Sequence, residues 1–206
     1  MLKMRIKGDI FMKQENVRSR LIENTVRIIA DYGLDKTTTK AIVSGTDINE
    51  SYIYSHFSDK EDLFIKVFDT LDSDFAELIS SHVSVIYMTS MDCEMRYRVF
   101  FYKVWNYLIE NREKCITYLR YYYSPYFERY SIDTHKKRYL SVVDAFKDAF
   151  IDEADVWMIL NHILNVVFDF AVKVHNRQMP DSEEYSEHVF RVVYRSLEQY
   201  MNLNNI

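Results

Sequence analysis

The stretch that decides the fold runs from Gly33 to Leu63 and reads GLDKTTTKAIVSGTDINESYIYSHFSDKEDL. Its three threonines at 37–39 can cap a short helix that begins near Lys40, and Asn49 can cap a second short helix. The string Ser-Asp-Lys-Glu that begins at Ser58 predicts a capping box, and therefore the start of a longer helix. Two short helices joined by a turn are typical of a helix-turn-helix, although an ordinary small helical bundle would have similar helix lengths.

One amphipathic helix is predicted before this stretch. From Gln14 to Tyr32, apolar residues recur at intervals of three and four, and Gly33 follows at the position where helices commonly end in a left-handed residue. Residues 1–20 carry six basic side chains against two acidic ones, whereas the whole chain has a net charge of −5. We expect residues 1–13 to form a disordered basic tail, with a DNA-contacting arm as the alternative.

The composition predicts an all-α protein. The 206 residues include only 3 Gly and 2 Pro, which leaves little material for the turns of a β-sandwich or barrel. Helical patterns continue after the helix-turn-helix, so that about nine helices are expected in total. The predicted body helices span residues 92–110, 113–123, 133–150, 152–175 and 182–202. We therefore predict a helix-turn-helix domain at 14–62 and a larger helical ligand-binding and dimerisation domain at 63–206.

The last two predicted helices carry more apolar surface than a small body can cover. Residues 156–174 are apolar nearly all round, and the helix near 182–202 has a wide apolar stripe. These two helices are expected to form a four-helix bundle between two copies of the chain, with a central core helix in a monomer as the alternative.

Several classes of function lack support in the sequence. The six histidines include no pair at i,i+4 spacing, and there is no phosphate-binding loop or nucleophile motif, so we expect no metal, no cofactor and no catalysis. No stretch of 18 uninterrupted apolar residues exists, and the start of the chain has no signal-peptide pattern. Cys93 and Cys115 are too few for a disulfide framework, which favours a cytoplasmic protein.

Residues 18–68 resemble the TetR family of bacterial transcriptional regulators. The resemblance rests on an aromatic residue and Gly at the end of the first helix, on paired threonines and on the string Tyr-x-His-Phe-x-x-Lys-Glu-x-Leu from Tyr54 to Leu63. It implies a homodimer that binds a palindromic double-stranded DNA operator, together with an unknown small-molecule inducer. Such a regulator is neither an enzyme nor a membrane protein.

The resemblance and the helix positions together give a set of expected DNA contacts. We expect phosphate contacts at the start of the second helix and of the fourth, and base-edge contacts from the outer face of the third. Partial core packing is the alternative role for Tyr54, and a solvated charge is the alternative for Lys60. The DNA-binding candidates are Thr38, Thr39, Lys40, Ser51, Tyr52, Tyr54, Ser55, His56 and Lys60.

Two positions depart from the family pattern. Thr46-Asp47 stands where a small residue and Gly are usual, and the turn can survive because Asp tolerates left-handed backbone better than most residues. Glu50 precedes the third helix, where its carboxylate would repel phosphate but could accept a hydrogen bond from cytosine N4.

Aromatic residues of the body could line a ligand cavity, although plain core packing is the alternative for each one. Aromatic faces and an acidic body would suit an apolar or a cationic ligand. The candidate ligand-binding residues are Tyr97, Phe101, Trp105, Tyr118, Tyr122 and Phe168. Two other functions stay open at this point: a helical enzyme, and a protein-interaction module with a degenerate helix-turn-helix that no longer binds DNA.

Overall fold

A computed structural model of the chain describes the backbone of residues 2–202 and the side chains of residues 17–202. Within residues 2–202 there are nine α-helices and no β-strands, which confirms the predicted all-α fold. The helices are α1 (Leu2–Tyr32), α2 (Thr39–Val43), α3 (Ser51–His56), α4 (Lys60–His82), α5 (Cys93–Glu110), α6 (Arg112–Tyr122), α7 (Ile132–Phe146), α8 (Val156–His175) and α9 (Glu183–Leu197). Short 3₁₀ segments follow α4, α7 and α9, and a π-helical turn, Phe127–Ser131, leads into α7.

The first helix is longer than the sequence pattern indicated. Helix α1 begins at Leu2 rather than near Gln14, so the expectation of a disordered tail at residues 1–13 is corrected for residues 2–13. This segment contains one Gly and no Pro, and its Leu, Met, Lys and Arg residues are good helix formers. Nothing therefore stops the helix from extending upstream of its amphipathic part.

The chain divides into two compact units. The first comprises Met1–Leu71 with Ile116–Ser131, and the second comprises Asp72–Cys115 with Ile132–Ile206. The expected boundary at 62/63 lies inside the continuous helix α4, which contributes residues 60–71 to the first unit and residues 72–82 to the second. Residues 116–131 of the expected body belong to the first unit, because their side chains pack there.

The core of the first unit joins the helix-turn-helix to the second half of α6. Ile42 of α2 and Ile53 of α3 are fully buried in the three-helix arrangement that α1 completes. The Thr117 hydroxyl donates a hydrogen bond to the Val26 carbonyl at 2.7 Å, which ties α6 to α1. Phe68 of α4 stacks on Tyr121 with ring centroids 4.6 Å apart.

In the second unit, α8 packs against α5, α7 and α9. Its buried side chains, such as Ile159, Val167 and Ala171, lie on one face, while Met158 and His162 are exposed. The helix is also long and apolar enough to cross a membrane by length and composition alone. Core helices of soluble proteins meet the same criteria, so this is weak support for a membrane span.

Several helices begin where local capping chemistry predicts. The side chains of Asp92, Asp155 and Ser182 each accept a hydrogen bond from the backbone amide three residues later, at the starts of α5, α8 and α9. Asp155 explains why α8 starts at Val156 and not at 152, as the sequence pattern had suggested.

The start of α4 corrects the predicted capping box. Asp59 accepts a hydrogen bond from the Asp62 amide at 2.8 Å, and the Asp62 carboxylate accepts one from the Ser58 amide at 3.0 Å. The box therefore uses Asp59 and Asp62, one residue later than the predicted pair of Ser58 and Glu61. An Asp side chain is as good a cap as Ser, so sequence alone could not decide between the two registers.

Candidate functional site

The turn between α2 and α3 takes its shape from Gly45. Gly45 has a φ of +75°, in the left-handed region that glycine adopts at little cost. Among the described residues, the only non-glycine with positive φ is Arg177, so the turn does not use the left-handed backbone that Asp47 could tolerate. Asp47 instead forms an ion pair with Arg20 of α1, which holds its pKa below the usual value.

The outer face of α3 is open to solvent. Ile53 and Phe57 point inward and are buried, whereas Ser51, Tyr52 and Ser55 are exposed. The helix is fixed at its start by Asn49, whose side chain accepts a hydrogen bond from the Ser51 amide at 3.1 Å. The arrangement presents two hydroxyls and a phenol on a helix whose opposite face is anchored in the core.

Tyr54 is also accessible, with 60% of its surface exposed. Partial core packing is therefore not its role in this structure. His56 is half-buried at the end of α3, where its ring lies 6.5 Å from that of Phe57. Tyr54 thus provides a phenol beside the outer face of α3, and His56 an imidazole at its end.

The start of α2 holds the three adjacent candidates in different environments. Thr38 is the N-cap, and its hydroxyl accepts a hydrogen bond from the Ala41 amide at 3.1 Å. Thr39 donates its hydroxyl to Glu50 Oε2 at 2.8 Å. Lys40 is exposed. Of the three, Lys40 alone carries a charge. The Thr38 hydroxyl accepts a hydrogen bond and can still donate its own proton to an anion, whereas the Thr39 hydroxyl already donates its proton to Glu50.

Basic side chains from two other helices belong to the same unit. Lys60, at the start of α4, lies with its Nζ 5.4 Å from the centre of the Phe64 ring. Arg18 of α1 is exposed and lies 5.4 Å from the centre of the Phe57 ring. Sequence reasoning did not select Arg18 as a site residue. Its only signal was its place in the basic N-terminal segment.

Residues 21–67 match the sequence profile described as "Bacterial regulatory proteins, tetR family". Over these residues the chain is similar to the TetR family. The matched residues contain α2, α3 and the start of α4, so all nine candidate DNA contacts fall inside the region that the family shares. The chain matches no curated protein sequence.

Solved structures of TetR-family proteins have the same fold over most of this chain. A TetR family transcription regulator from Marinobacter aquaeolei VT8 has a TM-score of 0.74 at 15% identity, with 90% of this chain and 97% of that chain covered. The fatty acid degradation regulator FadR from Bacillus halodurans has a TM-score of 0.68 at 20% identity, over 88% and 96% of the two chains. FadR from Bacillus subtilis in complex with stearoyl-CoA has a TM-score of 0.66 at 19% identity, over 91% and 98%.

The six candidate ligand residues of this chain fall into two separate groups. Tyr118 and Tyr122 belong to the first unit, where they stack on each other at 6.1 Å in an aromatic cluster with Phe68 and Phe127. The other four candidates belong to the second unit: Tyr97, Phe101, Trp105 and Phe168. The structure therefore does not bring all six residues to one cavity. Helical spacing could not reveal this, because α6 is shared between the units.

A cavity of about 60 Å³ lies within the second unit. Tyr97 and Phe101 line it, whereas Trp105 stacks behind Phe101 at 5.8 Å and Phe168 packs on Phe75 at 4.8 Å. All of the lining atoms that face the cavity are apolar, and burial raises the pKa of the Tyr97 hydroxyl. The lining residues that sequence reasoning missed include Phe146, Leu160, Leu164, Phe190 and Leu197.

A charged cluster stands outside one wall of this cavity. The guanidinium of Arg98 lies 4.4 Å from the centre of the Phe190 ring and forms ion pairs with Glu94 and Glu187. Burial alone would raise the pKa of Glu187, but hydrogen bonds from Arg98 and Arg191 outweigh it and keep that pKa below its usual value. The charged groups of the cluster therefore form ion pairs with one another outside the apolar cavity.

Potential metal ligands are dispersed across the part of the chain whose side chains are described. In that part, no group of three or more His, Cys, Asp or Glu residues could hold a metal ion. The buried Asp72 forms a hydrogen bond with His135 at 2.8 Å and an ion pair with Arg138, and both contacts join α4 to α7.

Proposed function

We propose that the protein is a cytoplasmic, dimeric repressor that binds a palindromic DNA operator and leaves it when a small apolar ligand enters the body. The observation that carries the proposal is the exposed outer face of α3, on a helix whose inner face is fixed by Ile53 and Phe57. In a helix-turn-helix this face enters the DNA major groove, while neighbouring elements contact the backbone. The proposed activity is binding alone, without catalysis or a cofactor.

In the bound state, Ser51, Tyr52 and Ser55 contact base edges, and Tyr54 and His56 contact the DNA backbone. Lys40 and Lys60 supply the phosphate contacts, together with the Thr38 hydroxyl and the backbone amide of Thr39 at the start of α2. Arg18 adds a further positive charge on α1. The acidic body is then kept away from DNA, since phosphate repels net negative charge.

The ligand is proposed to bury an apolar part in the cavity of the second unit. The wholly apolar lining supports this class, and the relative that was crystallised with stearoyl-CoA is consistent with it. The lining residues carry no formal charge, so a buried cation would lack a counter-ion there. A cationic inducer, which the aromatic rings alone would permit, is therefore the less favoured class.

Ligand entry must change the conformation of the body. A cavity of about 60 Å³ is far smaller than the roughly 300–1,000 Å³ typical of small-molecule sites, so a ligand would bind a widened state preferentially. Ile79 of the continuous helix α4 lines the cavity. A shift of α4 would alter the spacing of two recognition helices, which must match about one DNA turn, roughly 34–36 Å.

A mobility-shift titration with DNA from upstream of the native locus tests the proposal. Lys60→Ala should weaken binding about equally across sequences, because one phosphate contact is lost. The slope of the logarithm of the binding constant against the logarithm of the salt concentration should decrease in magnitude by about one. Tyr52→Ala should change sequence preference at one base pair, by on the order of 1–3 kcal/mol. Lys103→Ala, which removes an exposed lysine of the second unit, is the control and should leave binding unchanged.

A protein-interaction module with a degenerate helix-turn-helix is the competing function. Its support is the presence of two carboxylates, Asp47 and Glu50, in and beside the turn. This reading requires that the parent protein show no salt-dependent, sequence-specific DNA binding. Specific binding that both Lys60→Ala and Tyr52→Ala leave intact would instead mean that the recognition helix has been assigned wrongly.

A further inference from the structure

Glu50 is held in place by a residue of the other short helix. Thr39 Oγ1 donates a hydrogen bond to Glu50 Oε2 at 2.8 Å, and the Glu50 side chain does not cap α3. Glu50 is partly buried, in contrast to the exposed Ser51 and Tyr52 that follow it. The carboxylate therefore has a defined position beside the outer face of α3.

The held carboxylate keeps capacity to accept further hydrogen bonds. An ionised carboxylate has two oxygens and about four acceptor sites, and it donates none. Thr39 occupies one of these sites, and the described side chains show no further hydrogen bond to Oε1 of Glu50. Asp47, the neighbouring acid, differs because its two oxygens both face Arg20.

We infer that Glu50 is a specificity-determining residue that selects cytosine at one position of each operator half-site. The inference rests on the proposed DNA-binding function. In the major groove, cytosine presents its N4 amino group as a donor, whereas guanine and thymine present acceptors to the groove. Adenine offers a donor beside its N7 acceptor, which would repel the second carboxylate oxygen.

Selection at this position works mainly by rejection. A carboxylate near DNA phosphates raises the free energy of every complex, and a donor from the base offsets this only where cytosine is present. Opposite guanine or thymine, the carboxylate would lose water without gaining a partner, which is costly for a charged group. An unpaired charge of this kind lowers the affinity for operators that lack cytosine at this position, and it therefore discriminates strongly between sequences.

Thr39 acts as the positioning residue for this selection. Without its hydroxyl, the Glu50 side chain would sample several rotamers and could turn away from an unsuitable base. Thr39→Val removes the donor while keeping the shape and the net charge, and Thr39→Ser keeps the donor. A comparison of the two variants therefore separates the loss of the hydrogen bond to Glu50 from other consequences of a substitution at the start of α2.

The test is a selection of operators from a random double-stranded library, followed by titration of the best operator with each base at each position. The parent should require cytosine at one position of each half-site, with roughly ten- to hundredfold weaker binding of the other bases. Glu50→Gln should bind more tightly overall and lose the preference at that position alone. Thr39→Val should weaken the preference, and Thr39→Ser should retain it.

The outcomes separate this inference from the function on which it rests. A parent protein that selects no sequence would refute the proposed function. A parent that selects an operator, with a Glu50→Gln variant that has the same preference at every position, would overturn the role of Glu50 alone. Circular dichroism checks that Glu50→Gln keeps the parent's helix content; should it not, the comparison of Thr39→Val with Thr39→Ser decides the question.

Discussion

At the scale of single residues, the two cysteines have very different environments. Burial raises the pKa of the Cys115 thiol to about 12, whereas Cys93 is only half-buried at the start of α5. Because the thiolate is the reactive form, Cys115 should be inert in the folded protein. We expect a thiol reagent at pH 8 to modify Cys93 at least about tenfold faster than Cys115, and to modify both at similar rates in urea.

Cys93→Ser provides the control, since it should abolish the faster phase and leave the slow one. If Cys115 reacted as fast as Cys93 in the folded protein, the packing of the first turn of α6 in the second unit would be wrong.

At the scale of one element, the stability of α4 should depend on Asp59 rather than on Ser58. Asp59 accepts the hydrogen bond from the Asp62 amide, while Ser58 takes part through its backbone. Asp59→Ala should lower the free energy of unfolding by about 0.5–2 kcal/mol, as expected for loss of an N-cap. Ser58→Ala should change it by less than about 0.5 kcal/mol.

Urea denaturation followed by circular dichroism measures both variants. A larger loss for Ser58→Ala than for Asp59→Ala would restore the capping box that the sequence pattern predicted. Since α4 continues from the first unit into the second, its N-terminal cap also fixes where the shared helix begins.

At the scale of the whole molecule, the proposed dimer should depend on exposed side chains of α8 and α9. Leu197, an obvious apolar residue of the stripe, is 3% exposed and belongs to the core of the second unit. Val192 is 56% exposed on α9, and so offers apolar surface that a second copy can cover. Val192→Glu should therefore shift the protein from dimer to monomer in sedimentation velocity at micromolar concentration.

Leu140→Glu is the matched control. Leu140 is 62% exposed, but it lies on α7, outside the two helices of the proposed interface. The control should sediment like the parent. A monomeric parent, or a Val192→Glu variant that stays as dimeric as the control, would contradict the proposed interface.

The sequence by itself determined the helices and the recognition element. Apolar periodicity and capping side chains act within a few residues of each other, so they marked the end of α1, both short helices and the approximate starts of α4 and α5 without knowledge of the fold. The string from Tyr54 to Leu63 was sufficient to indicate a resemblance to the TetR family, because its aromatic, cationic and apolar residues lie in one compact unit. The exposed face of α3 also followed from local spacing, since Ile53 and Phe57 lie four residues apart.

Only the tertiary structure decided which distant residues meet. Thr39 and Glu50 are 11 residues apart, Arg20 and Asp47 are 27 apart, and no local pattern encodes either pair. The same holds for Tyr118, which packs in the first unit, and Tyr97, which lines the cavity of the second. The spacing of side chains indicates which face of a helix is apolar. Which other helix packs against that face depends on the tertiary fold of the whole chain. The residues that line the cavity and the hydrogen bond that positions Glu50 could therefore be identified only from the tertiary structure.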